Sequence, residues 1–443
     1  MSSRQISVSS ERPMVTRRSF LRLAGAAGAA ATVPGLAACG DDDGGSSGGG
    51  SGGKKTVVVA SWHWKETGGM EKWWALCKQR FQDQHPNITI EERYVPYNNY
   101  FNQAYVEMGT GNPADIYSIA QPASYVMMRN GLVEPLNQYL EGTSIRQDFS
   151  PVIDTEPCST DGQIYVLPMN QVTGAYLYYD KRWLEQAGVA VPTTPDAYFA
   201  AAQKLAGGGK FGGLLDTSTA DSLYQQLLMT TIGFGGLWWD REKGGPTVTT
   251  PEVVQAMTWY KSVIDSGVVP KQADYISHNQ LFFEGRGAMM WNGTFSLPQI
   301  QQNNPDLAAN LGVAPLPWQN GRTWLSILGC VIAKNSKTKD EAWQFLQFMG
   351  SKEMQTEFLN LTNTPTSFNL EISDELKAKM PHLEVFRSPL STEPFLYRAP
   401  KGMEDKAAQF FKIFTDGAQK FLYGSAGIEP TLADVQKKLE ALA

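Results

Sequence analysis

The hydrophobic pattern along the chain switches repeatedly between a period of two residues and a period of about 3.6. Residues 54–62 are a β-branched run that predicts a buried strand, and residues 69–86 place their apolar side chains on one side of a helix. Residues 87–94 alternate as a second strand, and a helix over 101–108 precedes a short strand over 115–119. Strand, helix and strand in such short order predict a right-handed βαβ unit and a mainly parallel sheet.

A second block of alternating elements begins near Tyr165. Strands are predicted over 175–179 and 288–291. Helices are predicted over 181–187, 196–206, 222–232, 251–266, 279–283, 339–349 and 432–442. The sequence shows no internal repeat and no heptad pattern. The alternation of the two element types predicts the α/β fold class.

The length and composition describe a folded protein with more than one core. A chain of 443 residues exceeds the size at which a single hydrophobic core usually keeps growing, so two domains are expected. The hydrophobic share of 42% and the charged share of 19% are typical of globular proteins. Aromatic residues make up 11%, more than cores alone require, which favours rings at a surface or in a cleft.

The amino-terminal segment has the features of an export signal. Arg17 and Arg18 precede Phe20 and Leu21, and an Ala/Gly-rich apolar stretch follows to residue 38, as in a twin-arginine signal peptide. A transmembrane helix is the alternative, but the run is shorter than the ~20 apolar residues that a bilayer span needs.

Cys39 follows Leu-Ala-Ala and resembles the lipidated cysteine of a bacterial lipobox. Residues 41–53 consist of Asp, Gly and Ser and predict a flexible tether, so 39–53 is expected to be a lipidated cysteine and its leash. We therefore expect an exported lipoprotein on the outer face of the cytoplasmic membrane, or in the periplasm.

Charge and cysteine content exclude several functional classes. The net charge is −6, and the region after residue 38 is more acidic still, because residues 1–38 carry five arginines against one glutamate. Such a surface repels nucleic acid. Among Cys77, Cys158 and Cys330 at most one disulfide can form, and the sequence does not choose the pair. There is no CxxC and no Cys/His cluster, so neither a metal nor another cofactor is expected.

Several segments resemble one known family in both order and spacing. They are GTGNPADI at 109–116, NGLVEPLNQYL at 130–140, the long stretch 161–205, FFEGRGAMMWNGTF at 282–295, GVAPLP at 312–317 and 339–355. The chain is similar to the extracellular solute-binding proteins of bacterial ABC sugar importers, akin to maltose-binding protein, over everything after the tether. It departs from the family at Pro113-Ala114-Asp115, which is one residue longer than the usual Pro-Asp pair.

The resemblance implies a two-lobed periplasmic-binding-protein fold with hinge strands and a ligand cleft between the lobes. Lobe one is expected to take 54–167 and 315–362, and lobe two 168–314 and 363–443. The implied protein is a monomer that binds a carbohydrate, meets ABC permease subunits and is held at the membrane by its lipid anchor.

Candidate ligand residues are aromatic rings and planar polar groups, which suit the apolar face and the hydroxyls of a sugar. They lie at predicted strand ends, in loops and after a glycine turn, and they are Trp62, His63, Trp64, Gln121, Asn170, Gln171, Trp238, Trp239, Asp240, Trp291, Asn292, Trp324 and Arg398. Core packing is the alternative for one ring of each tryptophan pair, and capping is the alternative for Gln121, Asn170 and Gln171. Trp291 is our first choice, because this family often places a stacking aromatic there, and we expect its loss to leave the lobes folded.

Other functional classes fit the sequence less well. A secreted carbohydrate hydrolase would use two carboxylates, but the chain has no GxSxG, HExxH or P-loop. A polyamine site would want several carboxylates in the cleft. The pair Tyr178-Tyr179 could suit ferric ion, yet alternation places one of the two rings in the core. We therefore expect a binding protein rather than an enzyme.

Overall fold

The computed structural model describes residues 53–121, 123–169, 172–218, 223–240, 242–318, 323–391, 395–396, 400 and 402–442. Its strands are β1 Lys55–Ser61, β2 Ile88–Tyr94, β3 Ile116–Ile119, β4 Ser159–Thr160, β5 Gln163–Ile164, β6 Val172–Gly174, β7 Tyr176–Asp180, β8 Met289–Asn292, β9 Leu311–Pro315, β10 Trp324–Ile327, β11 Gly329–Ile332 and β12 Phe395–Leu396.

Its helices are α1 Gly68–Gln84, α2 Tyr97–Thr110, α3 Ala123–Arg129, α4 Asn137–Leu140, α5 Ile145–Asp148, α6 Lys181–Gln186, α7 Pro195–Leu205, α8 Leu223–Gly233, α9 Pro251–Asp265, α10 Tyr275–Phe283, α11 Ser296–Asn303, α12 Pro305–Ala309, α13 Lys339–Met349, α14 Lys352–Thr362, α15 Asp374–Lys379, α16 Leu383–Ser391, α17 Ala407–Leu422 and α18 Ile428–Glu440. Short 3-10 turns lie at His63–Lys65, Val152–Asp154 and Glu404–Lys406.

The first lobe contains a four-stranded sheet in the order β11-β3-β1-β2. Strand β1 is parallel to both β2 and β3, and β11 is antiparallel to β3, so the predicted mainly parallel sheet is confirmed. Helix α1 connects β1 to β2. It begins where the Thr67 side chain accepts a hydrogen bond from the Met70 backbone, and it buries Trp73, Cys77 and Phe81. That buried stripe is the one that the helical spacing predicts.

The second lobe is built on the sheet β8-β7-β9, in which both pairings are antiparallel. The rings of Tyr176 and Tyr178 are fully buried there beside Phe282 and Ile300. The second lobe also contains two helix pairs, α8 with α9 and α17 with α18, which pack against each other. Helix α7 begins as its sequence predicts, with the Thr194 side chain as N-cap and Pro195 in the first turn.

A small sheet connects the two lobes. It has the order β12-β10-β6, with β10 antiparallel to β6 and parallel to β12. Strand β6 runs directly into β7 of the second lobe, and β10 runs directly into β11 of the first. The chain therefore passes between the lobes through short neighbouring strands, as the two-lobed fold requires.

The predicted lobe boundary at residue 362 can be compared with the core packing of the residues that follow it. Phe368, Leu370 and Leu383 lie in the first-lobe core with Trp73. Phe386, three residues later, packs in the second-lobe sheet cluster, and its carbonyl oxygen accepts a 2.7 Å hydrogen bond from the Tyr176 hydroxyl. This packing favours a later crossover, inside α16, and the boundary itself stays a prediction.

Cys77, Cys158 and Cys330 are all buried, and none of them is joined in a disulfide. Burial raises the pKa of the Cys77 thiol and of the Cys158 thiol. The fold therefore does not depend on a covalent cross-link among these three residues. In the part of the chain that the structure describes, no helix combines the length and the apolar character needed to cross a bilayer.

Candidate ligand-binding cleft

A small cavity of about 50 Å³ lies beside the connecting sheet and the end of β8. Its lining residues come from the second lobe and from the link into it, and they are Gly174, Ala175, Asp216, Gln225, Gln226, Met229, Tyr275, Trp291, Asn292, Gly293 and Phe295. Backbone groups, amides, a carboxylate and aromatic rings therefore meet at one point. This is the mixture of apolar walls and a few polar groups that small-molecule sites show.

Trp291 and Asn292 reach this cavity because they end β8. The register pairs Trp291 with Leu177 and Asn292 with Tyr176, and the Tyr178 hydroxyl donates a 2.8 Å hydrogen bond to the Gly293 carbonyl. These contacts fix the chain where the strand ends. Trp291 and Asn292, which the sequence predicts as ligand residues, therefore lie beside the cavity. Their contact with a ligand stays a prediction.

The Trp291 ring is only 1% exposed and is held in an aromatic cluster. It stacks parallel to Trp259 with ring centroids 5.9 Å apart, and it packs against Trp318 at 4.9 Å and Tyr198 at 5.0 Å. The indole nitrogens of these three tryptophans and the Tyr198 hydroxyl are buried without a hydrogen-bond partner. Four buried donors in one cluster are unusual, because such groups normally find acceptors.

Asn292 is the polar counterpart of this ring. Its Nδ2 donates to Oδ1 of Asn279, and its own Oδ1 accepts a 2.8 Å hydrogen bond from the Gly293 backbone. Tyr275 stands beside the two amides at the start of α10. Burial raises the pKa of Tyr275, hydrogen bonding to Asn279 opposes that shift, and the nearby carboxylate of Glu66 adds to it.

Glu66 belongs to the first lobe, so its effect on the pKa of Tyr275 agrees with an arrangement in which the two lobes face each other here. Tyr97, at the start of α2, gives the same result. Burial raises its pKa, and the neighbouring Tyr224 on α8 and Glu66 raise it further. Yet the Tyr97 side chain is 54% exposed. A ring that is open to water and still surrounded by protein on several sides is what a narrow cleft produces.

Trp62 forms the base of the first-lobe wall. Its ring meets Tyr97 edge-on at 5.6 Å and Tyr100 at 4.7 Å. It lies at the carboxyl end of β1, where parallel sheets usually bind their ligands. Its side chain is 4% exposed, so only an edge of the ring reaches the surface.

His63 follows Trp62 in a 3-10 turn and is almost fully buried. Its Nδ1 lies 2.9 Å from a carboxylate oxygen of Glu66, and its Nε2 has no partner. Its backbone amide donates to the Ser61 hydroxyl at 3.0 Å, which in turn hydrogen-bonds Ser118. The turn is therefore fixed by polar contacts, with one ring nitrogen left unpaired.

Gln121 has a role that neither sequence interpretation includes. Its Oε1 accepts hydrogen bonds from the Ser326 hydroxyl at 2.7 Å and from the Ile327 backbone at 3.0 Å. The amide oxygen therefore attaches connecting strand β10 to the first lobe instead of capping a helix. Ligand contact through its amide nitrogen stays a prediction.

Three further tryptophan candidates, Trp64, Trp238 and Trp239, lie in cores. Trp64 stacks on Trp74 with centroids 3.6 Å apart inside the first-lobe core. Trp238 stacks on Phe414 at 3.6 Å and donates its indole hydrogen to the Thr231 hydroxyl. Trp239 packs edge-on against Phe410 on the same helix α17. The glycine turn before this pair delivers both rings into the second-lobe core, so the packing favours the core interpretation for both, and their ligand contact stays a prediction.

Asp240 closes the turn that follows this pair. Its Oδ1 accepts hydrogen bonds from the backbone amides of Glu242 at 2.8 Å and Lys243 at 2.9 Å. It does not line the cavity described above. Trp324 begins β10 opposite Phe395 in the connecting sheet. The remaining candidates, Cys39, Asn170, Gln171 and Arg398, lie outside the described residues.

Several cleft residues are missing from the sequence-based candidates, among them Tyr97, Tyr224, Gln226 and Tyr275. Each stands in the first turn or two of a helix. Asp216 is another: its Oδ1 accepts hydrogen bonds from the Ser218 amide and hydroxyl, and its backbone amide donates to Gln226. The polar run Tyr-Gln-Gln at 224–226, in an otherwise apolar helix, was a signal in the sequence for this wall. Within the described residues, no three His, Cys, Asp or Glu side chains gather as a metal site.

Comparison with known proteins agrees with this architecture. A binding protein of Brucella abortus is 27% identical over 383 residues, which cover 82% of this chain and 88% of the relative. The maltotriose-binding protein of Pyrococcus abyssi is 25% identical over 300 residues, 66% of this chain and 62% of that protein.

The structure of an ABC transporter solute-binding protein of Thermotoga lettingae, bound with α-D-tagatose, superposes with a TM-score of 0.76 at 17% identity. The superposition covers 88% of this chain and 99% of that one, and it shows the shared two-lobed fold. Residues 63–356 match the sequence model of a family described as bacterial extracellular solute-binding protein. This chain therefore belongs to the bacterial extracellular solute-binding protein family.

Proposed function

We propose that this chain is the lipid-anchored substrate-binding component of an ABC importer, which captures a carbohydrate by closure of its cleft. The observation that carries this proposal is the pair of opposed walls. Trp62 and Tyr97 contact each other on the first lobe, and Tyr275 and the Trp291-Asn292 strand end line the cavity on the second. The charge of Glu66, on the first lobe, raises the pKa of both Tyr97 and Tyr275, which supports the opposition of these walls. Closure of two lobes around a bound solute is a known hinge motion of such proteins.

The chemistry of the walls suits a sugar. Aromatic rings pack on the apolar face of a pyranose, and amides and carboxylates hydrogen-bond its hydroxyls. Two buried polar atoms beside the cleft, Trp291 Nε1 and His63 Nε2, lack hydrogen-bond partners. Ligand hydroxyls, which both donate and accept, would supply those partners and give binding an added favourable contribution. The tagatose and maltotriose named for related proteins support the same ligand class.

The carboxylates near the cleft support binding rather than hydrolysis. Glu66 is engaged by His63, and Asp216 is engaged by Ser218. A glycosidase would instead hold two carboxyl groups on opposite sides of a scissile bond. The same scarcity of unengaged carboxylates disfavours a polyamine as ligand.

Anchoring and delivery complete the proposal. Cys39 would carry the lipid after export through the twin-arginine signal, and the tether at 41–53 would let the monomer reach the permease subunits. Replacing Cys39 with Ala should move the protein from the membrane fraction to the soluble fraction. If the Cys39→Ala protein still sediments with membranes, the anchor proposal is wrong.

The ligand class is tested by thermal unfolding and calorimetry with monosaccharides, maltotriose and spermidine. A ligand that binds only the folded state raises the unfolding midpoint by mass action. We expect at least one sugar to raise the midpoint without being converted, while spermidine has no effect. Product formation would indicate a hydrolase, and a response to spermidine alone would contradict the carbohydrate assignment.

A further inference from the structure

A second cavity, of about 490 Å³, lies outside the cleft and shares no lining residue with the cleft cavity. It lies between the loop around Ser150, the segment that follows α14, and helices α15 and α16. Its size falls in the range of small-molecule sites. Its polar lining includes Ser367, Asn369, Lys377, Glu384 and Arg387.

Arg387 differs from the other arginines of the described residues. Each of the others, Arg80, Arg93, Arg129, Arg146, Arg182 and Arg286, has a carboxylate within ion-pair distance. Arg387 makes a single hydrogen bond, from Nη1 to the Leu370 carbonyl oxygen at 2.9 Å, and no carboxylate of the described residues pairs with it. A partly buried guanidinium is normally matched by a counter-charge, since its desolvation is otherwise uncompensated.

The pKa of Arg387 is consistent with that geometry, since burial lowers it. The other charges at the cavity are a lysine and an acid that largely satisfy each other. Lys377 lies 3.8 Å from Glu384 and 3.5 Å from Asp374. The guanidinium therefore gives the cavity a positive charge that no carboxylate among the described residues neutralises.

A second polar group in the lining is also unsatisfied. Ser367 is 5% exposed, and its hydroxyl is buried without a hydrogen-bond partner. Asn369, by contrast, donates both hydrogens of its amide to the backbone, at Gln147 and Ser150, each at 3.0 Å. These bonds hold the loop that forms one side of the cavity, so the wall is anchored rather than loose.

We propose that this cavity is a second ligand site, which binds a phosphate group through the Arg387 guanidinium. A guanidinium presents paired donors that match two phosphate oxygens, and the Ser367 hydroxyl adds a further donor. The phosphate group belongs either to a free anion or to a lipid headgroup. Helix α16 places Leu383 in the first-lobe core and Phe386 in the second-lobe cluster. A ligand in this cavity would therefore contact a helix that packs against both lobes.

Calorimetric titration of the full chain with inorganic phosphate, at constant ionic strength set with chloride, tests the site. Arg387→Gln should weaken phosphate binding by about tenfold or more, because a charge-assisted contact is lost. Arg286→Gln, at an exposed arginine paired with Glu284, is the matched control and should bind phosphate as the unaltered chain does. Absence of phosphate binding by the unaltered chain, or unchanged affinity in Arg387→Gln, overturns the proposal.

Lys377→Gln covers the case in which Arg387→Gln fails to fold. Lys377 is 44% exposed, so the change should leave the fold intact and weaken phosphate by about threefold through lost charge. If phosphate affinity in that variant is unchanged while Arg387→Gln is unfolded, the proposal falls.

Flotation with phosphatidylglycerol and phosphatidylcholine vesicles separates the two sources. It uses chains that carry Cys39→Ser, so that no lipid is attached. Binding to the anionic vesicles that Arg387→Gln abolishes identifies a lipid headgroup. Phosphate binding in solution without such vesicle binding identifies a free anion. Loss of vesicle binding in the Arg286→Gln control as well would contradict a specific site.

Discussion

The two walls of the cleft are built in different ways. On the first lobe, Tyr97 stands 54% exposed at the start of α2, on top of the buried Trp62. On the second lobe, Trp291 is 1% exposed and locked among Trp259, Trp318 and Tyr198. The first wall can therefore change a side chain at little cost to folding, whereas a change at Trp291 in the second wall also disturbs core packing. Substitutions in the two walls should separate binding from stability.

The largest effect is expected at Trp291. Trp291→Ala removes a ring from the second-lobe cluster and should lower the free energy of unfolding by about 3–5 kcal/mol. The sequence alone predicts that the lobes survive this change, and the packing predicts that they are badly weakened. Denaturant unfolding measures the difference. Trp291→Phe keeps most of the buried ring and should lose far less stability, and equal losses in both variants would contradict the cluster's role.

His278 offers a test of the second wall by pH. It lies in α10, edge-on to Tyr275 at 5.6 Å, and neither ring nitrogen has a partner. Burial lowers its pKa to about 4, and Asp274 only partly opposes this. The folded state thus binds a proton less readily than the unfolded state, so stability is complete above pH 6.5 and falls towards pH 4.

The contribution lost over that window is about 3 kcal/mol. The free energy of unfolding should therefore differ less between pH 7 and pH 4.5 in His278→Gln than in the unaltered chain. Other titrating groups are common to both proteins, so the comparison isolates this histidine. An equal pH dependence in the two would show that His278 is not buried as a neutral group.

Tyr97 tests the first wall. Tyr97→Ala should weaken sugar binding by about thirtyfold, as loss of a hot-spot ring does, with little change in the unfolding midpoint. Tyr94→Ala is the control, because Tyr94 is 45% exposed and its ring contacts Lys65. A Tyr97 variant that binds normally would remove this ring from the site, whatever the second wall does.

Gln121 gives the smallest effect and distinguishes a structural amide from a ligand amide. Gln121→Ala removes the two hydrogen bonds to β10 and should cost about 1–2 kcal/mol of stability. Gln103→Ala, whose amide contacts Glu107 on an exposed helix surface, should cost much less. Sugar affinity per folded molecule should be unchanged in both, and a large loss of affinity in Gln121→Ala alone would restore its ligand role.

Local pattern predicts many elements closely, including α13 at both of its ends, but it did not lead to a prediction of α17. The β-branched run and the helical stripe with Trp73, Cys77 and Phe81 correspond to β1 and α1 within a residue or two. Helix α17 carries a strong apolar face, yet it was not among the predicted helices. That apolar face is itself a local signal for a helix, whereas its packing partner is not: Trp238 stacks on Phe414 there. That contact joins residues far apart in sequence, which no local periodicity encodes.

The site shows the same limit. Trp291 and Asn292, chosen because they end a predicted strand, lie beside the cavity, because a strand's end follows from its own residues. A glycine turn followed by Trp-Trp-Asp is equally compatible with a platform and with a core hairpin, and the structure has the latter packing. Tyr97, Tyr224 and Tyr275 belong to three different helices, and the effects of Tyr224 on the pKa of Tyr97 and of Tyr97 on the pKa of Tyr275 depend on the tertiary fold alone.

The three buried thiols have a consequence for how this protein is made. An odd number of cysteines entering an oxidising compartment unfolded would be exposed to incorrect pairing. Cys77, Cys158 and Cys330 are buried in the folded chain, and burial keeps the thiols of Cys77 and Cys158 protonated at neutral pH. A chain that folds before it crosses the membrane, as a twin-arginine signal dictates, would carry them across already shielded. Export of the folded chain would then also explain why three unpaired cysteines are tolerated.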